Sequence, residues 1–164
     1  LNAFNSIAKD NSVKVPILSA TQNSNDVHNK HVFDLIKQFE KKNIGIYGLS
    51  FKAGTDDIRN SPSLKLCSSL VEKRYNIKIF DRNINFSKMV GKNEEILLRD
   101  LKNIESLFIS DFNEFLFGIE VLVFTQFDKE IEKLVDRIND EIIIIDLVGI
   151  KILKRKENYE GVCW

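Results

Sequence analysis

Two cations and two anions stand close together in the segment that follows the first apolar run of the chain. Lys52 and Arg59 are the cations, and Asp56 and Asp57 are the anions. The dipeptide Ser61–Pro62 comes next, and it combines an N-cap residue with a proline suited to the first turn of a helix. A cation beside the free N–H groups of a helix N-terminus can bind a diphosphate. A solvated loop without a ligand is the other interpretation of the same residues.

These charges fall between an apolar strand and a helix, in a chain where the two alternate. Apolar runs predict strands at residues 43–49, 76–80, 107–110, 120–125 and 141–146, and the helical segments are 62–75, 111–116 and 130–138. Continuously apolar strands separated by helices are typical of a parallel sheet covered on both faces. We therefore predict an α/β fold over residues 42–164, a Rossmann-like three-layer domain with a mainly parallel sheet. Residues 82–104 have a weak pattern and predict an excursion with a short helix.

The loop after the first strand is long, with about eleven residues where roughly two to six are usual. Ligands of open α/β sheets bind beyond the carboxyl ends of the strands, so this loop is the expected site. It is not a dinucleotide fingerprint, because Gly45 and Gly48 lie inside the strand rather than after it. Asp81 ends the second strand, where an NAD domain has its ribose-binding acid. Without a glycine turn, Asp81 is weak evidence for NAD binding.

Residues 1–41 are predicted to form a helical lead-in to that domain. Pro16 opens a long helix that continues to about Glu40, and its first half is very polar. A helix of this kind connects domains or packs against a second copy of itself. His28 and His31 share one face of it. No third ligand is evident, so helix packing is favoured over a metal site.

The composition of the chain argues against several classes of protein. Lys+Arg and Asp+Glu both number 24, so the formal charge of zero argues against a general nucleic-acid binder. No apolar run approaches the roughly 18 residues that a membrane span needs, and the first ten residues do not resemble a secretory signal. The cysteines, Cys67 and Cys163, have no metal-type spacing, and we expect a packed core cysteine and a tail cysteine in a reducing cytoplasm. The helix after Pro62 is expected to turn Leu64, Cys67, Leu70 and Val71 inward, and the core aromatics are expected to be Phe112, Phe115, Phe117, Phe124 and Phe127.

One motif is long enough to carry a family resemblance. The run from Gly48 to Pro62, GLSFKAGTDDIRNSP, resembles the signature G-L-x-F-K-x-x-T-D-D-x-R-E-S-P of UDP-glucose/GDP-mannose dehydrogenases. The long polar helix is similar to the central, dimer-forming helix of that family. Three further segments, FDRN at 80–83, DLVG at 146–149 and EGVCW at 160–164, are most similar to the members that act on GDP-mannose. Asn60 departs from the signature, which usually has glutamate there.

This resemblance implies two NAD-dependent steps that oxidise the C6 alcohol of a nucleotide-linked sugar to a carboxylate. The implied part of such an enzyme is its central helix and C-terminal domain, with a homodimer formed through the long helix. By position, Lys52 is implied to bind the sugar nucleotide, GDP-mannose or another, and Arg59 to reach NAD held on a different domain. The nucleophilic cysteine and the NAD domain are expected upstream of Leu1. No catalytic residue and no metal are therefore expected in this chain, which alone should be inactive.

Two alternatives remain open at this point. One is the corresponding part of a member that acts on UDP-glucose, because no base-recognition contact is legible in the sequence. The other is a non-catalytic module that binds nucleotides or forms dimers by itself. Asp56 and Asp57 are expected to orient the loop rather than transfer protons. The chain starts with Leu1 rather than Met, which favours a part of a longer protein.

Overall fold

The computed structural model describes residues 2–84 and 104–162. The chain divides into two compact units, residues 1–38 and 39–164. The first unit contains two helices, α1 (Asn2–Asp10) and α2 (Pro16–Gln38). Helix α2 begins at the predicted proline, whose fixed φ suits a first turn. Among residues 2–84 and 104–162, no helix has both the length and the apolar character that a membrane span requires.

A parallel sheet forms the centre of the second unit. Its strands are β1 (Asn43–Tyr47), β2 (Asn76–Phe80), β3 (Val121–Phe124), β4 (Ile143–Asp146) and β5 (Tyr159–Gly161). All neighbours are parallel, in the order β2-β1-β3-β4-β5, which confirms the predicted fold class. The interior strands are almost wholly buried, so their sequences read as apolar runs. Strand β5 is not predicted, because its three residues are only partly buried or exposed.

The helices of the second unit are short. They are α3 (Pro62–Glu72), α4 (Phe112–Leu116) and α5 (Ile131–Leu134), with 3-10 turns at Ile104–Leu107, Val135–Arg137 and Lys151–Arg155. Both predicted N-caps are confirmed: Ser61 accepts a hydrogen bond from Leu64 N, and Asp111 accepts one from Glu114 N. The strand predicted at residues 107–110 is wrong. Phe108 makes only an isolated parallel bridge to Ile79, after the 3-10 turn.

The core beside β1 is aromatic, as expected, but smaller than predicted. Phe112, Phe115 and Phe124 are buried in one cluster with Tyr47 and Phe80. Gly45 makes room for this cluster, since a Cβ there would lie 3.0 Å from Cζ of Phe115.

Three residues predicted to face inward are in fact exposed. Phe117 is 81% exposed because it caps the C-terminus of α4, where the chain leaves the helix. Phe127 is 46% exposed in the loop after β3, and Val71 is 38% exposed near the end of α3. The excursion predicted at residues 82–104 falls almost wholly outside the described residues, as does Cys163.

Candidate functional site

The charged loop leaves the sheet at a point where the direction of winding reverses. From β1 the chain passes to β2 on one side, and it later returns to β3 on the other side. The strands end level with each other, with Tyr47 in register with Phe80 and Phe124. Such a switch point opens a crevice beyond the carboxyl ends of the strands. The loop from Gly48 to Ser61 therefore lies where ligands of this fold bind.

Asp81 holds the first peptide groups of the loop from the end of β2. Its carboxylate accepts hydrogen bonds from Leu49 N at 2.8 Å and from Ser50 N at 3.1 Å. The other carboxylate oxygen accepts one from Asn83 N at 2.9 Å. Asp81 is only 9% exposed. Its carboxylate is thus engaged by backbone N–H groups within the protein, where it supports the loop.

The end of β3 holds the same loop from the opposite side. Gln126 Nε2 donates to Ser50 O at 2.5 Å and to Ser50 Oγ at 2.8 Å. Thr125 Oγ1 donates to Gly48 O at 2.7 Å. Gly48 has φ of +95°, and a Cβ there would lie 2.8 Å from Cγ of Gln126. Glycine is therefore required at this position both by its backbone conformation and by the close approach of the glutamine.

The N-cap of α3 closes the base of the loop. Ser61 Oγ donates to Leu49 O at 2.6 Å and accepts from Leu64 N at 3.4 Å. One serine thus joins the start of the loop to the start of the helix. The N–H of Leu64 is consequently engaged inside the protein, and it is not among the free helix N–H groups that the sequence suggested for a diphosphate.

The tip of the loop, by contrast, is exposed. Phe51 is 61% exposed, and Lys52 and Gly54 are also exposed. The carbonyl of Lys52 is fixed, because it accepts hydrogen bonds from Ser50 Oγ at 3.2 Å and from Thr55 Oγ1 at 2.7 Å. The Lys52 ammonium has no ion-pair partner among the residues that the structure describes. A fixed backbone with a free cation at its surface suits the binding of an anionic group.

Arg59 is oriented by a carboxylate two residues before it. Its Nε donates to Asp57 Oδ1 at 2.8 Å, and its Nη2 donates to Asp57 Oδ2 at 2.7 Å. This two-point pair lowers the pKa of Asp57 to about 2 and raises the pKa of Arg59. The Arg59 side chain is still 58% exposed. The guanidinium is therefore oriented by Asp57 and remains accessible to solvent. Asn60, where the family signature has glutamate, adopts φ of +58°, which asparagine tolerates better than most residues.

A second buried carboxylate organises the loop after β4. Asp146 is fully buried and accepts hydrogen bonds from Tyr159 Oη at 3.0 Å and from three successive backbone N–H groups, those of Val148, Gly149 and Ile150 at 2.9, 3.0 and 2.5 Å. Burial of the phenol, and after it the hydrogen bond to the Asp146 carboxylate, raises the pKa of Tyr159 to about 12. All these partners lie inside the protein, so Asp146 shapes a loop and presents no group to a ligand.

Neither Cys67 nor a cavity at the opposite edge of the sheet belongs to this site. Cys67 is completely buried in α3, as predicted, and burial raises the pKa of its thiol to about 12, which rules it out as a nucleophile. A cavity of about 450 Å³ lies at the opposite, amino ends of the strands. Lys41, Phe117, Glu120 and Arg137 are among its lining residues.

Sequence reasoning found the loop and its two cations but missed the side chains that hold it. Asp81 was considered as weak evidence for NAD binding rather than as a support of the loop, and Thr125 and Gln126 were not singled out. The available signal was weak: two polar residues come directly after the apolar run of β3. Only the strand order shows that they face the loop after β1.

The fold and this loop agree with a match to a known family. The family model described as "UDP-glucose/GDP-mannose dehydrogenase family, UDP binding domain" matches residues 45–152. The chain belongs to this family, as the signature at Gly48 to Pro62 implied.

Among its relatives is the GDP-mannose 6-dehydrogenase of Pseudomonas aeruginosa, which is 36% identical over 152 residues, 93% of this chain. The UDP-glucose 6-dehydrogenase of Rickettsia bellii is 36% identical over 104 residues, covering 60% of this chain and 24% of that protein. A crystal structure of a ternary complex of the Pseudomonas aeruginosa GDP-mannose dehydrogenase superposes with a TM-score of 0.83 at 34% identity. That superposition covers 99% of this chain and 37% of the solved one. The chain spans about a third, 35%, of the Pseudomonas aeruginosa relative.

Proposed function

We propose that this chain is the sugar-nucleotide-binding part of an NAD-dependent GDP-mannose 6-dehydrogenase. The observation that carries the proposal is the loop from Gly48 to Ser61, which has the family signature, lies at the switch point and presents Lys52 on a fixed backbone. The full enzyme would oxidise GDP-mannose to GDP-mannuronate by two hydride transfers to NAD. Its nucleophilic cysteine and most of its NAD site would lie outside this chain.

Lys52 and Arg59 have separate roles in this proposal. Lys52 binds an oxygen of the sugar nucleotide as a point charge. Arg59, aimed by Asp57, contacts the phosphates of NAD held by another domain. Among the described residues, Arg59 is the one that this proposal assigns to NAD. Asp81, the acid at the usual ribose position, already accepts hydrogen bonds from Leu49 N and Ser50 N.

GDP-mannose is favoured over UDP-glucose by the extent of the likeness. The GDP-mannose 6-dehydrogenase relative matches 93% of the chain, whereas the UDP-glucose 6-dehydrogenase relative matches 60% at the same identity. A homodimer formed through α2 is part of the same proposal. Ile17 and Val27 are 80% and 68% exposed on that helix and provide apolar surface for a second copy.

Binding of sugar nucleotides to the 164-residue chain tests the proposal directly. Isothermal titration should show GDP-mannose binding more tightly than UDP-glucose. Lys52→Ala should weaken GDP-mannose binding by roughly 10- to 100-fold, because a hydrogen bond to a charged group contributes about 1.5–3 kcal/mol. Lys73→Ala is the matched control, since Lys73 is an exposed lysine at the far end of α3.

Three outcomes would count against the proposal in different ways. No binding of either sugar nucleotide by the wild-type chain would contradict the proposed site. Tighter binding of UDP-glucose would transfer the proposal to the UDP-glucose enzyme. Equal affinities of the Lys52→Ala and Lys73→Ala variants would remove Lys52 from the site.

A further inference from the structure

We propose that Gln126 is a positioning residue that sets the pose of Lys52 without touching the ligand. This inference rests on the proposed function of the loop. Gln126 lies just after β3. The family signature stops at Pro62 and therefore does not include it.

A short series of hydrogen bonds connects the sheet to the lysine. Gln126 Nε2 donates to both oxygens of Ser50, the carbonyl at 2.5 Å and the hydroxyl at 2.8 Å. Ser50 Oγ in turn donates to the carbonyl oxygen of Lys52 at 3.2 Å. Ser50 is only 2% exposed, so these bonds are shielded from water. The backbone of Lys52 is therefore located, through one serine, by the amide of Gln126.

The glutamine is itself well anchored. It lies two residues beyond β3, an interior strand paired with β1 on one side and β4 on the other. Its aliphatic part is packed over Gly48, where any Cβ would lie within 3.0 Å of both its Cβ and its Cγ. A site residue is held most precisely when its support comes from a rigid element with locked rotamers. Gln126 lies two residues from a rigid strand and makes two hydrogen bonds to Ser50, whereas Lys52 lies at the exposed tip of the loop.

The chemistry requires an amide at this position. Both groups that Nε2 contacts, a carbonyl and a hydroxyl that donates elsewhere, are acceptors. A carboxylate of the same size would place a negative oxygen against the Ser50 carbonyl, with no hydrogen to share. Asp81 already accepts a hydrogen bond from the N–H of the same residue, Ser50. Gln126→Glu should therefore push Ser50 away from β3 and displace Lys52 with it.

The test is a double-mutant cycle in the 164-residue chain, with GDP-mannose affinity measured by titration calorimetry. Gln126→Glu should weaken binding by about 10-fold, the effect of losing roughly 1.4 kcal/mol of productive contact. In a Lys52→Ala background the same change should have little further effect, because a residue that acts through Lys52 has nothing left to position. A residue with a purely structural role would weaken both backgrounds equally.

Two further variants complete the experiment. Gln126→Met keeps the volume and removes both hydrogen bonds without adding charge, so it should also weaken binding and covers the case in which Gln126→Glu does not fold. Asn76→Asp is the control, an amide-to-acid change at the amino end of β2, and it should bind as the wild type does.

The results separate this inference from the proposed function. If the wild-type chain binds and Lys52→Ala weakens binding, but both Gln126 variants bind normally, the positioning role is wrong and the function stands. Equal losses of GDP-mannose affinity in the wild-type and Lys52→Ala backgrounds would also overturn the positioning role of Gln126. If the wild-type chain binds no sugar nucleotide, the proposed function fails, and this inference fails with it.

Discussion

Two of the loops at the carboxyl edge of the sheet are each held by a buried aspartate, but the two aspartates work differently. Asp146 ends β4 and binds the N–H groups of the residues that directly follow it, Val148, Gly149 and Ile150. Asp81 directly follows β2 and binds the N–H groups of Leu49 and Ser50, which precede it by more than thirty residues. The first aspartate closes its own turn, and the second holds a loop that begins on another strand.

This difference determines what each loop can do. Around Asp146, all the observed donors lie within the protein, and Tyr159 completes the set from β5. Asp81 holds the base of the other loop, and the backbone of Lys52 is fixed by Ser50 and Thr55, while Lys52 itself is exposed to solvent. A loop built for binding needs a fixed base and accessible side chains, and here different strands provide the base.

The largest expected effect is from Asp146→Ala. Removing the carboxylate leaves three backbone N–H groups and a phenol without their acceptor, and an orphaned buried donor costs about 1–3 kcal/mol. We expect the free energy of unfolding in urea to fall by about 4 kcal/mol. Asp136→Ala, which breaks only an exposed pair with Arg155, should change it by less than about 0.5 kcal/mol. Similar losses in the two variants would show that Asp146 is not the anchor of its loop.

Asp81→Ala should have a smaller effect on stability but a larger effect on function. Two N–H groups at the base of the charged loop lose their acceptor, and so does the N–H of Asn83, an exposed residue, while Gln126 and Ser61 still hold the loop. We expect a loss of about 2 kcal/mol in unfolding free energy and a clear loss of GDP-mannose affinity in the folded variant. If Asp81→Ala destabilises the chain as much as Asp146→Ala does but leaves affinity unchanged, the contrast between the two loops is wrong.

The smallest expected effect is from Tyr159→Phe, which removes one hydrogen bond to Asp146 and should cost about 1 kcal/mol at neutral pH. Its pH dependence is more informative. The folded protein raises the pKa of Tyr159 to about 12, so the neutral phenol is favoured in the folded state. The resulting stabilisation is complete below the ordinary tyrosine pKa, about 10, and is lost as pH rises from there through about 12.

The measurement for this prediction is unfolding free energy from pH 8 to pH 11 for the wild type and the Phe variant. The difference between the two should shrink as pH rises above about 10. A constant difference across that range would mean that the folded protein does not raise the pKa of the Tyr159 phenol.

Several features of the fold were predictable because their causes are local. The interior strands β1, β3 and β4 are almost wholly buried, so they appear as apolar runs. Ser61 and Asp111 are recognisable as N-caps from their positions before helices. Features that depend on partners elsewhere were missed or misassigned. Phe117 and Phe127 were placed in the core because they are aromatic, but both follow the end of an element, where the chain turns outward.

The same division applies to the site. By itself, the sequence determined where the charged loop lies, which cations it has and which family the chain belongs to, because these depend on a contiguous run of residues from Gly48 to Pro62. Only the tertiary structure decided what holds that loop. Asp81 and Gln126 both contact Ser50 from neighbouring strands, although they lie 31 and 76 positions from it along the chain. The physical reason is that a parallel sheet brings distant segments side by side, and hydrogen bonds form between atoms that are close in space, whatever their separation along the chain.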